Sequence, residues 1–488
     1  MTPIFFKYLE FFPFVSIMFS IFFGTFFTVF KRSSIFMFLN TLLSILFNIF
    51  YFYFFNNKLC NINNFFFHFD KLSIFFSLLI LFSGLVIVLF SYFCLCEKNI
   101  YISEYYLLLL LLMLGSLSLN FAKHIFIFFI SVEIITLSTV GLIYFFNKSK
   151  TAIEASLKYM IFSSFVSLFI LFGIGLIYFI NGNLEYIHLF SNLQKYDFYE
   201  KISIFLGITM LLMGIFFKIS LFPFHFIFPD VYQVSDPIYL MCFSIINKIS
   251  FLSFLTYFFL CSSILQIKFF YILIYIMSVL SIFFGNFLAI FQKNLKRLLG
   301  YLSISQSGYS IIVILSLLNK FTYFLENIFL YFINYVICNI CFFGSMAIIK
   351  RCNFYIKKNN IFSNIYNSYF LLSLSMFIVL FSLSGVPPTI GFINKLYIFS
   401  YSICNHFWIM SLVILISNIL GMYIYFKILI SICNDNKINN NLCKYDFYYI
   451  KDILGIIIFV MSICLIFFNF SFFYNFFFKI LFSGFSLK

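Results

Sequence analysis

The sequence predicts an all-α polytopic membrane protein, and three observations carry that prediction. Of 488 residues, 64% are hydrophobic and only 9% are charged, and the mean hydropathy is +1.09, a balance foreign to water-soluble domains. The apolar material falls into segments of about 20 residues, each long enough to cross roughly 30 Å of hydrocarbon. A transmembrane β-barrel would instead need segments of about ten residues with alternating polarity, and none is present.

About 14 spans can be counted, near 13–30, 34–55, 72–95, 105–122, 125–146, 156–180, 202–219, 238–259, 270–290, 298–318, 323–349, 369–403, 407–430 and 453–473. The first apolar run reads as the first span, because no cleavable-signal pattern precedes it. The loops after odd-numbered spans hold more cations, among them Lys31, Arg32, Lys98, Lys148, Lys150, Lys293, Lys296, Arg297, Lys350, Arg351, Lys357, Lys358, Lys437 and Lys444. By the positive-inside rule both termini face away from the cytoplasm. The net charge of +15 is spread through these short loops, so it points to membrane orientation and not to nucleic acid. The 85 Phe residues accompany abundant Ile, Asn, Lys and Tyr and only three Arg, the pattern of AT-rich codon usage. The aromatic excess is therefore no sign of stacking sites. The cysteines are scattered through apolar segments, and Cys338 and Cys341 read as small apolar wall residues. The sequence has no Gly-rich nucleotide loop and no ligand set for flavin, haem, iron–sulfur cluster or metal.

The stretch from Ile202 to Ile249 organises the chain. A long apolar run carries Lys218, a break follows at Leu221-Phe-Pro-Phe-His225, and a second run carries Lys248. Lysine at bilayer depth costs about 2.5–3.5 kcal/mol on insertion scales. Broken backbone is tolerated there only where protein or a water-filled cavity covers it, and discontinuous helices mark ion paths. A second break lies at Gly385-Val-Pro-Pro-Thr-Ile-Gly391, followed by Lys395. Proline removes a backbone donor and stops the helix. The two broken spans, 7 and 12, fit inverted five-helix repeats over spans 4–8 and 9–13. The expected organisation is 1–100 for helices 1–3, 101–262 for the first repeat, 263–432 for the second, and 433–488 for the last loop and helix.

Glu133 sits mid-span, and an isolated carboxylate there needs a proton or a cation. Lys218 is a partner for it if spans 5 and 7 pack together; a fixed structural salt bridge is the alternative. Lys248 and Lys395 are intramembrane cations, with snorkelling to an interface as the other reading. His225, in the first break, can hand protons on near neutral pH or cap freed carbonyls. Glu154 and Lys158 stand four residues apart on one helix face, as a plain surface pair or a functional one. Asp230 and Asp236 read as solvated. Glu133, Lys218, His225, Lys248 and Lys395 form a line of polar groups of the kind proton hopping needs, with water bridging the gaps.

At these residues the chain resembles the antiporter-like subunits of respiratory NADH:quinone oxidoreductase (complex I), and among them subunit N, counterpart of mitochondrial subunit 2. The matching stretches are Glu154-Ala-Ser-Leu-Lys158-Tyr, Phe217-Lys-Ile-Ser-Leu-Phe-Pro-Phe-His225, Pro229-Asp-Val-Tyr-Gln233, Asn294-Leu-Lys-Arg-Leu-Leu-Gly-Tyr301, Ser303-Ile-Ser-Gln-Ser-Gly-Tyr309, and Leu383-Ser-Gly-Val-Pro-Pro388 with Gly391-Phe-Ile-Asn-Lys395. They stand in the family's order and span about Glu104 to Lys427. The resemblance implies a proton path in which Glu133 pairs with Lys218, Lys248 is the central relay and Lys395 gates the far half-channel; His225, Lys158 and Glu154 remain further candidates from the residues themselves. It implies that NADH, FMN, iron–sulfur clusters and quinone belong to other subunits. The implied partners are sibling antiporter-like subunits, small membrane subunits and the lipid bilayer. Lysine at 395 and the lack of a long lateral helix after span 14 favour subunit N over its siblings.

The chain departs from the family pattern in three places. Gln306 stands where the family usually has His, and glutamine does not titrate. Val234, Ser235 and Asp236 replace Gly-Ala-Pro. Asn394 replaces a usual Gly. The expected location is a bacterial inner membrane, with the mitochondrial inner membrane as the alternative. Two other functions are compatible with the motifs: a subunit of a multi-subunit Na⁺/H⁺ antiporter, and a structural membrane subunit that has lost pumping.

Overall fold

The computed structural model describes residues 11–30, 33–59, 66–95, 102–146, 150–186, 197–262, 264–316, 322–352, 369–433 and 448–467. Lys31, Arg32, Lys98, Lys148, Lys357, Lys358, Lys437 and Lys444 lie outside these residues. The chain forms two compact units, Met1–Leu318 and Asn319–Lys488.

The first unit contains α1 (Phe12–Phe30), α2 (Ser34–Leu59), α3 (Lys71–Leu95), α4 (Ile102–Phe121), α5 (Ile125–Phe146), α6 (Lys150–Asn181), α7 (Phe198–Ile219), the short α8 (Phe228–Val234), α9 (Pro237–Cys242), α10 (Lys248–Cys261), α11 (Lys268–Ile290) and α12 (Leu295–Leu315). The second contains α13 (Thr322–Cys352), α14 (Phe370–Ser384), α15 (Ile390–Cys404), α16 (Trp408–Cys433) and α17 (Tyr448–Phe467). No strand occurs among the described residues; two isolated antiparallel bridges, Phe67 with Ala122 and His124 with Glu185, tie loops together. Twelve helices among the described residues are long and apolar enough to cross a membrane, and Phe370–Ser384 and Ile453–Ile466 are shorter apolar helices. The twelve fall where the sequence places spans 1–11 and 13, and the two shorter helices lie within the expected spans 12 and 14.

The segment α9–α10 is the buried axis of the first unit. Every residue from Ser235 to Phe259 is buried. A π-helical turn, Phe243–Asn247, joins the two helices. Such turns insert a residue into the helical ladder and often sit at functional sites. The outer helices are apolar all round: α6 exposes Phe162, Phe165, Phe169 and Phe172, a face suited to hydrocarbon. Many buried serines donate to carbonyls three residues back, as Ser250 does to Asn247 and Ser253 to Ser250, so these hydroxyls do not stand unpaired in the apolar interior.

The two broken spans share one local plan. α7 ends at Ser220, which is left-handed at φ 70°, and Leu221 N–H bonds the Phe216 carbonyl at 2.9 Å. α14 ends at Gly385, left-handed at φ 78°, and Val386 N–H bonds the Phe381 carbonyl at 3.0 Å. Both are the backbone closure that ends a helix by satisfying a carbonyl of its last turn. The chain then turns through Pro223 or Pro387-Pro388, each with one cis X–Pro bond.

In the second unit, close backbone approach fixes the geometry of this break. A Cβ on Gly391 would lie 1.7 Å from the Ser382 carbonyl oxygen. Gly391→Ala is expected to cost about 3 kcal/mol or more, the upper end of overpacking penalties. Gly175, with nothing within 4 Å of an added Cβ, is the control. Thermal inactivation of the purified membrane fraction should separate the two, with Gly391→Ala markedly less stable and Gly175→Ala unchanged.

Candidate functional site

Lys218 lies in the last turn of α7 and is 0% exposed. Its Nζ has no hydrogen-bond partner among the described residues. It sits 5.8 Å from the ring centre of Tyr159 and 5.7 Å from that of Phe217, the range in which an aromatic face attracts a cation. Glu133, half-buried on α5, is the charge that acts on it. One Glu133 oxygen meets Thr136 Oγ1 at 3.4 Å and the other is buried without a partner. Glu133 and Lys218 thus share an electrostatic environment, and Lys218 donates no hydrogen bond to it.

Lys248 begins α10 and is 1% exposed. Its Nζ donates to the Ser303 carbonyl of α12 at 2.7 Å. Snorkelling does not apply, because the ammonium ends inside the unit. Tyr159 lies beside Lys218, and Asn247, near the Tyr159 hydroxyl, immediately precedes Lys248 in the chain. The buried Tyr159 hydroxyl faces Thr139 and Asn247 and meets hydrogen-bond geometry with neither. Both amide atoms of Asn247, 0% exposed, are likewise unpartnered. Unpaired buried polar atoms cost roughly 1–3 kcal/mol each, so this cluster has the polarity and the donors and acceptors that bind bridging water.

His225, in the break, is buried, and its Nδ1 has no partner. Its ring stacks on Phe222 at 5.2 Å and on Phe226 at 4.8 Å. The break is held against α12. Arg297 Nη2 pairs with Asp230 Oδ1 at 3.2 Å, Lys296 Nζ donates to Ser235 O at 2.7 Å, and a Cβ on Gly300 would lie 2.9 Å from Pro229 Cα. Asp230 and Asp236 were expected to be solvated. Asp230, though paired, keeps 39% of its side chain exposed, whereas Asp236 is only 4% exposed, because it stands at the buried junction of α8 and α9.

Glu154 and Lys158 bond at 2.5 Å on the outer face of α6, with side chains 63% and 49% exposed. The inward face of that turn carries Ala152, Ala155 and Tyr159. One residue is about 100° of helix, so the motif's charged pair points out while the tyrosine beside it points in.

In the second unit, Lys395 Nζ donates to the Ser384 carbonyl at 2.7 Å. The α-helical partner of that carbonyl would be residue 388, a proline without N–H, so the break that ends α14 frees the acceptor. Asn394 is 2% exposed and both its amide atoms lack partners. Ser382 Oγ donates to Asn334 Oδ1 at 2.8 Å, and Cys338 Sγ to the same oxygen at 3.4 Å. Cys341 Sγ donates to Ile458 O at 3.6 Å. No group of three or more His, Cys, Asp or Glu that could hold a metal occurs among the described residues.

Sequence reasoning missed Tyr159, Asn247 and Ser303. Adjacency to Lys158 and Lys248 was the one available signal for the first two; Ser303 contributes only its backbone carbonyl.

Lysines beside proline-broken helices, two buried in the first unit and the half-buried Lys395 in the second, fit a polytopic membrane protein of the antiporter-like class. The family model for the NADH:quinone oxidoreductase/Mrp antiporter transmembrane region matches residues 122–421, and the chain belongs to that family. Similar curated proteins are NADH-quinone oxidoreductase subunit N of Buchnera aphidicola subsp. Schizaphis graminum, 34% identical over 407 residues and covering 82% of this chain and 83% of the relative, and the protein of the same name from Blochmanniella floridana, 30% identical with 82% of each covered. Among solved structures, a chain of respiratory complex I from Thermus thermophilus superposes with a TM-score of 0.74 at 21% identity, over 93% of this chain and 97% of that one. A chain of the Mrp complex from Dietzia sp. does so with a TM-score of 0.80 at 15% identity, over 96% and 95%. These structural likenesses are of fold.

Gly300→Ala is expected to push α8 off α12. Limited trypsin digestion of membranes should then cleave faster after Lys296 and Arg297 than in the parent protein, and Gly175→Ala should cleave at the parent rate.

Proposed function

We infer that this chain is a proton-translocating membrane subunit of a bacterial NADH:quinone oxidoreductase. It works in the inner membrane beside other membrane subunits of that complex and couples their NADH-to-quinone electron transfer to proton pumping. The family match and the subunit N relatives support the class. The observation that carries the role of this chain is Lys218: a lysine with zero exposure and no hydrogen-bond partner, under the field of a half-buried carboxylate.

The proposed path runs as follows. A proton resides on Lys218 while the Glu133 carboxylate is close; an opposite charge within a few ångströms favours the charged form. Withdrawal of that carboxylate loosens the proton, which passes by way of water ordered at the Tyr159 hydroxyl and the Asn247 amide to Lys248. Lys248 is the relay, steadied by the Ser303 carbonyl. Lys395, held on the Ser384 carbonyl, gates the step in the second unit. His225 supplies protons from the break, and the exposed Glu154–Lys158 pair tunes the field at its rim. About 14 spans in two inverted repeats, with boundaries near 101–262 and 263–432, complete this reading, and both termini face away from the cytoplasm. NADH, FMN, iron–sulfur clusters and quinone are assigned to other subunits.

The test is Lys218→Ala in the assembled complex, in inverted membrane vesicles. Proton uptake and NADH oxidation should both fall steeply. Normal rates of both would make Lys218 structural and the path wrong. Tyr159→Phe removes only the hydroxyl. It should lower NADH-driven pumping about tenfold, the equivalent of about 1.4 kcal/mol on the barrier, while the complex still assembles on a native gel.

A further inference from the structure

The end of the first unit remote from the break holds a second cluster of polar groups. α6 begins beside α8, where the rings of Tyr159 and Phe228 are 6.5 Å apart, and it ends at the loop 182–186. That loop is knitted to two others by backbone hydrogen bonds. His68 N–H donates to Phe121 O, Lys123 N–H to Phe66 O and Ile125 N–H to Leu184 O, each at 3.0 Å. His68 sits inside this knot, 7% exposed, and neither ring nitrogen makes a hydrogen bond. Its ring stacks on Tyr257 of α10 with centres 3.2 Å apart and planes 8° from parallel. The carbonyls of Phe121 and Ala122 and the charge of Lys123 lie around the imidazole. Asp70, Glu185 and Cys261 act on Tyr257.

From Tyr257 a line of polar side chains leads back along α10 to the lysine cluster. Ser250, Ser253 and Tyr257 are spaced by three and four residues, so they share one helix face, and all three are buried. Ser250 donates to the carbonyl of Asn247, and Ser253 to that of Ser250. Each hydroxyl therefore keeps its oxygen lone pairs open to accept. Asn247 to Tyr257 spans about 15 Å at 1.5 Å per residue. α10 packs against α3 and α4, and there Asn120 donates to Ser73 O at 2.7 Å while its own amide oxygen, 1% exposed, is unpartnered. A stripe of serines alone is unremarkable in a membrane helix. A buried histidine with both nitrogens open at one end, and an asparagine with both amide atoms open at the other, make this stripe one that takes water.

We propose that His68, Tyr257, Ser253 and Ser250 form a proton passage that joins the Asn247–Lys248 cluster to the membrane face carrying loops 66–71, 121–125 and 182–186. This rests on the reading that the chain carries protons. The first unit then has its own opening on that face, the one away from the cytoplasm in the proposed orientation. His68 works as a neutral imidazole. An N–H bond forms at its open nitrogen as the O–H bond of an incoming protonated water breaks, and the other nitrogen gives up its proton to water on the far side. Burial pushes the free imidazole well down, to about 3, so the ring is neutral between transfers and both nitrogens are available in turn.

The experiment uses the assembled complex in inverted membrane vesicles with His68→Phe, which keeps an aromatic ring against Tyr257. The expected result is a fall of at least threefold in NADH-driven pumping and coupled NADH oxidation, and in His68→Gly, where the deleted ring leaves room, added imidazole restores at least half of the loss. Unchanged rates in the assembled variant would overturn the proposal. So would a loss in His68→Gly that imidazole leaves untouched, with His68→Phe at parent rates, since that is the mark of a stacking role only. If His68→Phe does not assemble, Ser253→Ala takes the same measurements: a clear fall in pumping supports the passage, and parent rates overturn it. Lys218→Ala run in parallel separates the two readings. Loss in Lys218→Ala with full activity in His68→Phe removes only this passage, whereas full activity in both removes the proton path itself.

Discussion

An ammonium group enclosed by protein at bilayer depth must find oxygen, an aromatic face or an opposite charge, because nothing else there replaces its lost water. That requirement shapes both units. Lys248 and Lys395 each rest on a backbone carbonyl at 2.7 Å. Lys218 has two aromatic rings and the field of Glu133. The proline breaks are part of the same solution. In an intact helix the Ser384 carbonyl would be committed to the N–H four residues on; with Pro388 there, the carbonyl is available, and Lys395 takes it. Ending the helix and holding the cation are one structural event.

The buried axis α9–α10 follows from the same need. A lysine and an asparagine in the middle of the first unit can be tolerated only if every face of the helix around them is covered, and each residue from Ser235 to Phe259 is buried. The covering helices are also what bring Tyr159 under Lys218 and the Ser303 carbonyl to Lys248. The folded-back α8, pinned by Arg297 and Lys296 and seated on Gly300, closes the cluster at the end where the broken helix would otherwise open it to solvent.

Membrane cost made much of this legible from the sequence. Lys218, Lys248, Lys395 and Glu133 stand out because charge is rare in such segments, and the two proline breaks stand out because continuous helix is the rule. Which face of each helix turns inward was much harder to read. In a soluble protein, apolar periodicity gives that face away. In α6 the outward face is Leu157, Ile161, Phe165 and Leu168 and is as apolar as the inward one, so hydrophobicity carries no phase. The charged pair Glu154 and Lys158 drew attention on that helix and lies on the outer surface, while Tyr159 points to the centre. Asn247 and Ser303 were invisible for a different reason. Polar uncharged residues are frequent throughout this chain, and neither the π turn that positions Asn247 nor the use of a serine carbonyl leaves a signature in residue type.

The same geometry bears on Gln306, the departure that puts the relay in doubt at the level of sequence. Lys248 is held by the Ser303 carbonyl, a backbone atom that no side-chain replacement on α12 removes. Ser303 and position 306 lie one turn apart on one face of α12. A histidine there would add a titrating group; glutamine offers a donor and an acceptor that do not titrate. The protonatable groups of the first unit's central cluster are then Glu133, Lys218 and Lys248, joined through the neutral hydroxyl and amide of Tyr159 and Asn247. In such an arrangement Lys218 is buried and feels the Glu133 carboxylate without a direct hydrogen bond, whereas Lys248 and Lys395 carry backbone partners. In the proposed path Lys218 is therefore the lysine set to respond to movement of a neighbouring charge, which is the property that coupling to a distant reaction demands.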